Sequence, residues 1–124
     1  MEFVKLTFQG NSYDYKDSTN IKMCVLGCFL MTDLRCGNDF YRKWALDNNQ
    51  QAAGGNLTDL YKENENIFLA DIFSEEEVPT ELKMTVQQLV QLLDDWRDKV
   101  CATKPREIII KYENNQFIIE TKDQ

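Results

Sequence analysis

The stretch Thr85–Glu120, TVQQLVQLLDDWRDKVCATKPREIIIKYENNQFIIE, constrains the fold more than any other part of this chain. Thr85 and Gln88 stand in the relation of a capping box, in which each side chain satisfies a backbone N–H near the helix start. Val86, Leu89, Val90, Leu93, Trp96 and Val100 then recur at helical spacing and form one apolar stripe. Asp94, Asp95, Arg97, Asp98 and Lys99 occupy the other side, a solvated face whose charges offset one another. Pro105 forbids continuation, so the spacing predicts a helix over 85–102. In the segment that follows, Asn114-Asn115 makes a two-residue turn that sets Tyr112 opposite Phe117 and Ile110 opposite Ile119. Ile108, Ile110, Tyr112, Phe117 and Ile119 then share one strand face. Two apolar faces adjacent in sequence cover each other most simply. The expected class is α+β: an antiparallel sheet with a C-terminal hairpin, packed against the long amphipathic helix and one or two shorter helices.

The remaining chain is less sharply patterned. MEFVKLTF alternates, with Val4, Leu6 and Phe8 on one side, and reads as a half-buried strand. Residues 9–20 are polar and rich in turn formers, so a loop is expected, with Tyr13 and Tyr15 packing on the body or anchoring an interface. Ile21 to Met31 is apolar through one glycine; it fits a buried strand or the start of a helix, and a strand is favoured. Phe40, Tyr41 and Trp44 in NDFYRKWALDN are spaced for a short helix. Residues 48–56 read as a loop, and NIFLADIF (66–73), apolar on both faces, as a strand interior to a sheet. The 124 residues show no repeat and no boundary, and 1–124 is expected to form a single domain.

Histidine is absent. That removes Ser-His-Asp and Cys-His nucleophilic mechanisms and HExxH zinc sites. No phosphate-cradling glycine motif and no calcium-loop spacing occur, and no cofactor or metal site is expected. The longest apolar run, Met23 to Met31, is too short for a bilayer, which needs about 20 helical residues. It also lacks the features of a signal peptide, so a cytoplasmic protein is expected. Cys24, Cys28, Cys36 and Cys101 form no CxxC pair, and four reduced core thiols are expected.

Charge is the most uneven property of the chain. Residues 59–81 contain eight acids (Asp59, Glu63, Glu65, Asp71, Glu75, Glu76, Glu77, Glu81) and one base, Lys62. Their net −7 equals the net charge of the whole protein. Clustered like charge repels itself but steers an oppositely charged partner. A solvated acidic loop, with Ser74 capping a short turn, accounts for the same residues without a partner. Nucleic acid is disfavoured as a ligand, because phosphates would be repelled and no basic patch exists.

NIFLADIFSEEE followed by LKMTVQQLVQLLDDWRDKVCATKPREIIIKYENNQFIIE resembles the immunity proteins of bacterial polymorphic toxin systems, particularly those of contact-dependent growth inhibition. The similarity rests on the LLDDW helix, the Lys-Pro that ends it and the Ile-rich hairpin, and covers about half the chain. The resemblance implies a cytoplasmic antidote, not an enzyme. Such a protein binds its cognate toxin domain, often a nuclease with a basic surface, one-to-one, without nucleic acid or membrane. The candidate contacts are Asp71, Glu75, Glu76, Glu77 and Glu81, with Asp59, Glu63 and Glu65 behind them. Two other readings stay open: a small histidine-free enzyme using a carboxylate pair, which needs a concave pocket, and an acidic intracellular adaptor, which needs an oligomer or an exposed apolar patch.

Overall fold

The computed structural model describes residues 2–10, 12–34, 36, 38–47, 52–54, 58–71 and 81–122. The fold is α+β: the described residues form two four-stranded antiparallel sheets and three helices. The strands are β1 (Glu2–Gln9), β2 (Ser12–Ser18), β3 (Ala52–Gly54), β4 (Thr58–Glu63), β5 (Asn66–Asp71), β6 (Glu81–Thr85), β7 (Glu107–Glu113) and β8 (Gln116–Lys122). The helices are α1 (Ile21–Cys28), α2 (Asn38–Leu46) and α3 (Val86–Trp96). The first sheet runs β2-β1-β7-β8 and the second β3-β4-β5-β6.

The C-terminal unit forms as its pattern predicts. Thr85 Oγ1 accepts from the Gln88 N–H at 3.1 Å, and the Gln88 side chain accepts from the Thr85 N–H at 2.8 Å. Such a cap stabilises a helix by about 1 kcal/mol. After Trp96 the helix widens: Arg97–Cys101 makes π-type turns, with the Ala102 N–H reaching the Arg97 carbonyl five residues back. Lys104 then turns into the left-handed region (φ 50°) and Pro105 closes the element. The hairpin has the expected register, Tyr112 opposite Phe117 and Ile110 opposite Ile119. Asn114 and Asn115 both have positive φ, 51° and 62°, the signature of the turn that matches strand twist. The buried stripe of α3 is rotated from the expectation. Leu92 is fully buried, whereas Val86 and Val90 lie only partly buried at its margin.

Three segments differ from the sequence expectation. Residues 12–18 form a strand, β2, not a loop: they pair along β1 from Ser12 opposite Gln9 to Ser18 opposite Val4, with a register shift midway. Their polarity suits an exposed edge strand, where charge and a bulge discourage further pairing. Tyr13 packs inward, its ring 6.2 Å from Trp96 and 5.1 Å from Phe8, whereas Tyr15 is exposed. Residues 21–28 form a helix, not a strand. Asn20 caps it by accepting from the Met23 N–H at 2.9 Å, and the chain continues through the π-type segment Phe29–Leu34. Its almost unbroken apolar sequence hides the helical period. Within the expected 48–56 loop, Ala52–Gly54 pairs with β4; residues 48–51 and 55–56 lie outside the described residues.

Helices α1 and α3 each touch strands of both sheets. Gly27 lets α1 approach β1, since a Cβ there would lie 2.9 Å from Val4 Cγ2. Buried residues of both sheets and all three helices belong to one hydrophobic cluster. The expectation of four reduced cysteines is corrected: Cys36 and Cys101 are disulfide-bonded, with Cα atoms 5.8 Å apart, while Cys24 and Cys28 keep their thiols. Side chains distant by 65 positions could not be matched from spacing alone. No described helix is long and apolar enough to cross a membrane.

Candidate functional site: the open face of the second sheet

The acid-rich segment builds the second sheet. Along β4 the side chains alternate: Thr58 and Leu60 are buried, whereas Asp59 and Glu63 are exposed. Leu60, Leu69 and Leu82 stand in one row across β4, β5 and β6 and face the core. The opposite face carries a second set of rows. Asp59, Ala70 and Glu81 are aligned across the three strands, as are Tyr61, Phe68 and Lys83, while Glu63 sits opposite Asn66. Strand spacing puts Asp59 and Glu81 about 10 Å apart on either side of the small Ala70, and Asp59 about 13 Å from Glu63.

At the centre of this face the Tyr61 and Phe68 rings stack, 4.9 Å apart and tilted by 12°. The Tyr61 hydroxyl donates to Glu81 Oε2 at 2.8 Å. That bond is the main reason the phenol titrates above its ordinary range; desolvation and the nearby charges of Glu81 and Glu63 add to it. Glu81 is therefore half-buried and engaged, whereas Asp59, Glu63 and the turn residue Glu65 stand exposed. None of these four carboxylates forms an ion pair with a described lysine or arginine.

Lys62, the base in the acidic segment, has left this face. By strand alternation it points to the core side, where its ammonium donates to the Trp44 and Asp47 carbonyls at the end of α2 and lies 4.8 Å from the Trp44 ring. A cation suits that helix terminus. Its withdrawal leaves Lys83 as the base in the aromatic row, so the open face is more acidic than the sequence average suggests.

The expected contact residues thus divide into three groups. The structure brings Asp59, Glu63 and Glu81 onto one sheet face, with Glu65 at the adjoining turn. Asp71 ends β5 opposite Thr58, and its side chain is outside the described set. Glu75, Glu76 and Glu77, with the proposed Ser74 cap, lie outside the described residues. Sequence reasoning missed Tyr61 and Phe68. The signal was the alternation of residues 58–63, which places Tyr61 on the same side as Asp59 and Glu63.

Elsewhere a shallow depression between α2 and α3 is lined by Leu46, Val86, Val90, Asp94 and Asp95, among others. Its Asp94 is held by Arg42 at 3.1 Å and by Arg97 at 3.5 Å. Among the described residues no group of His, Cys, Asp and Glu is arranged to hold a metal ion. Comparison with protein-family models, with curated proteins and with solved structures finds no match to this chain.

Proposed function

We propose that this chain is a cytoplasmic immunity protein that binds one cognate toxin domain, a nuclease, and neutralises it by covering its basic surface. The observation that carries this reading is the open face of the second sheet, where Asp59, Glu63 and Glu65 stand exposed and unpaired with described bases beside the Tyr61–Phe68 stack. A nuclease attracts phosphate with lysine and arginine; an acidic face meets the same groups by complementary charge and speeds encounter. The stacked rings add rigid, partly apolar area of the kind that anchors interfaces. The sequence resemblance to immunity proteins supports the same reading.

The test uses the toxin domain encoded by the adjoining reading frame. Co-expression of this chain is expected to restore growth of cells making that domain. The triple variant Asp59→Lys, Glu63→Lys, Glu65→Lys is expected to associate at least about 10-fold more slowly at low salt, with unchanged circular dichroism. Association of the wild-type protein falls steeply as salt rises, and that of the variant does not. Association of the variant at the wild-type rate at every salt concentration would sink the proposal.

A further inference from the structure

Cys36 lies between the Phe29–Leu34 segment and α2; Cys101 ends the Arg97–Cys101 turns that extend α3. The bond between them joins the start of α2 to the end of α3. Helix α2 has nine residues, too few to persist alone in water. It buries Tyr41, Trp44 and Ala45 but exposes Phe40 and Leu46. Its polar ties among the described residues include the half-buried Arg42–Asp94 ion pair and the Lys62 ammonium at its last carbonyls. The disulfide adds a covalent link between the N-terminal end of α2 and the end of the α3 extension. Cys36 is exposed and Cys101 partly covered, so the bond is open to attack from the Cys36 side.

We propose that Cys36 and Cys101 form a redox-operated tether that fixes the start of α2 to the end of α3, and that thiol–disulfide exchange releases α2 without dismantling the first sheet. In the opening reaction a small-molecule thiolate attacks Cys36 Sγ. The Sγ–Sγ bond breaks, and Cys101 leaves as a thiolate and takes a proton. A second small-molecule thiol attacks the mixed disulfide, returning Cys36 as a thiol and leaving as a small-molecule disulfide. Two electrons pass from the two thiols to the protein sulfurs; closure is the reverse reaction with a small-molecule disulfide as oxidant. In a reducing compartment such a bond acts as a sensor and not as a permanent staple.

The experiment compares the intact protein equilibrated in oxidised glutathione with the same protein in dithiothreitol. Reduction is expected to lower Tm by about 10 °C, since the bond closes a long loop. Amide exchange across residues 39–46 is expected to rise at least about 10-fold more than that of β1, β7 and β8, which follows only the change in global stability. Cys36→Ser is expected to reproduce the reduced behaviour and to lose its response to dithiothreitol. The double variant Cys24→Ser, Cys28→Ser keeps the response, which separates the tether from the other thiols. Four titratable thiols in the glutathione-treated protein after unfolding would overturn the proposal. So would a reduced protein whose Tm is unchanged or whose exchange rises no more across residues 39–46 than in β1, β7 and β8. The wild-type comparison decides even if Cys36→Ser fails to fold.

Discussion

The two sheets have the same number of strands and the same antiparallel pairing, yet they are assembled and charged in opposite ways. The second sheet is a meander, each strand pairing with its neighbour in sequence, β3 through β6. The first joins the two ends of the chain: Glu2 lies opposite Tyr112. Loop closure makes that long-range pairing the costlier one to begin, and the β7–β8 hairpin and α3 supply a local template for it. Outer-face charge differs as well. On the first sheet, Lys111 meets Glu120 at 2.7 Å and Lys16 meets Glu107 at 2.8 Å. On the second, Asp59 and Glu63 have no such partners among the described residues, and Lys62 serves the other side. The first sheet meets surface charges with partners of its own; the second leaves acids exposed beside an aromatic stack, and it is there that we propose a partner docks.

The hardest test of this comparison is the shared core. Trp96 is almost fully buried and packs against Tyr13 of the first sheet. Trp96→Ala is expected to cost about 4 kcal/mol in denaturant unfolding, and amides of β5 and β7 should lose protection together. If β5 stays protected after β7 opens, the sheets are separate stability units and their faces cannot be compared as parts of one body. A smaller effect separates the two lysines of the second sheet. Lys62→Met, which strips a cation from the α2 terminus, is expected to cost about 1–2 kcal/mol. Lys83→Met, on the open face, should stay within about 0.5 kcal/mol. Equal costs would mean that Lys62 is no more committed to the core side than Lys83.

The subtlest contrast lies in pH. Tyr61 has its pKa raised, so its contribution to stability is complete below the unfolded tyrosine pKa and is lost as pH climbs through the folded value. Glu107 is held below the ordinary carboxylate range, first by the hydrogen bond from Lys16 and then by its charge. Its contribution is complete above the unfolded glutamate pKa and is lost as pH falls through the folded value. Alkali therefore loosens the second sheet and acid the first, each modestly because both groups are solvent-accessible. Ultraviolet titration should show the tyrosine midpoint dropping in Glu81→Gln, and carboxyl NMR should show Glu107 titrating higher in Lys16→Met. A tyrosine midpoint that stays put would remove Glu81 as the cause.

Legibility followed locality. The α3 cap, its Pro105 stop and the Asn114-Asn115 turn rest on residues within a few positions of one another, and each stands where the pattern predicts. Residues 21–28 are not legible as a helix because a nearly unbroken apolar run shows neither a period of two nor one of 3.6. The polar strand β2 is not legible in its own residues because its pairing with β1, not its own propensity, makes it extended. Of the site, the excess of acid was visible and its focus was not: Tyr61 and Phe68 meet only once β4 and β5 are in register.

By itself the sequence determined the α+β class, the C-terminal helix and hairpin, and the confinement of net charge to residues 59–81, because caps, turns and composition act over short distances. Only the tertiary structure decided that the strands divide into two sheets, that Cys36 finds Cys101, and that Lys62 turns inward while Asp59 and Glu63 face out. Those outcomes depend on which distant surfaces bury one another, and local pattern holds no record of that choice.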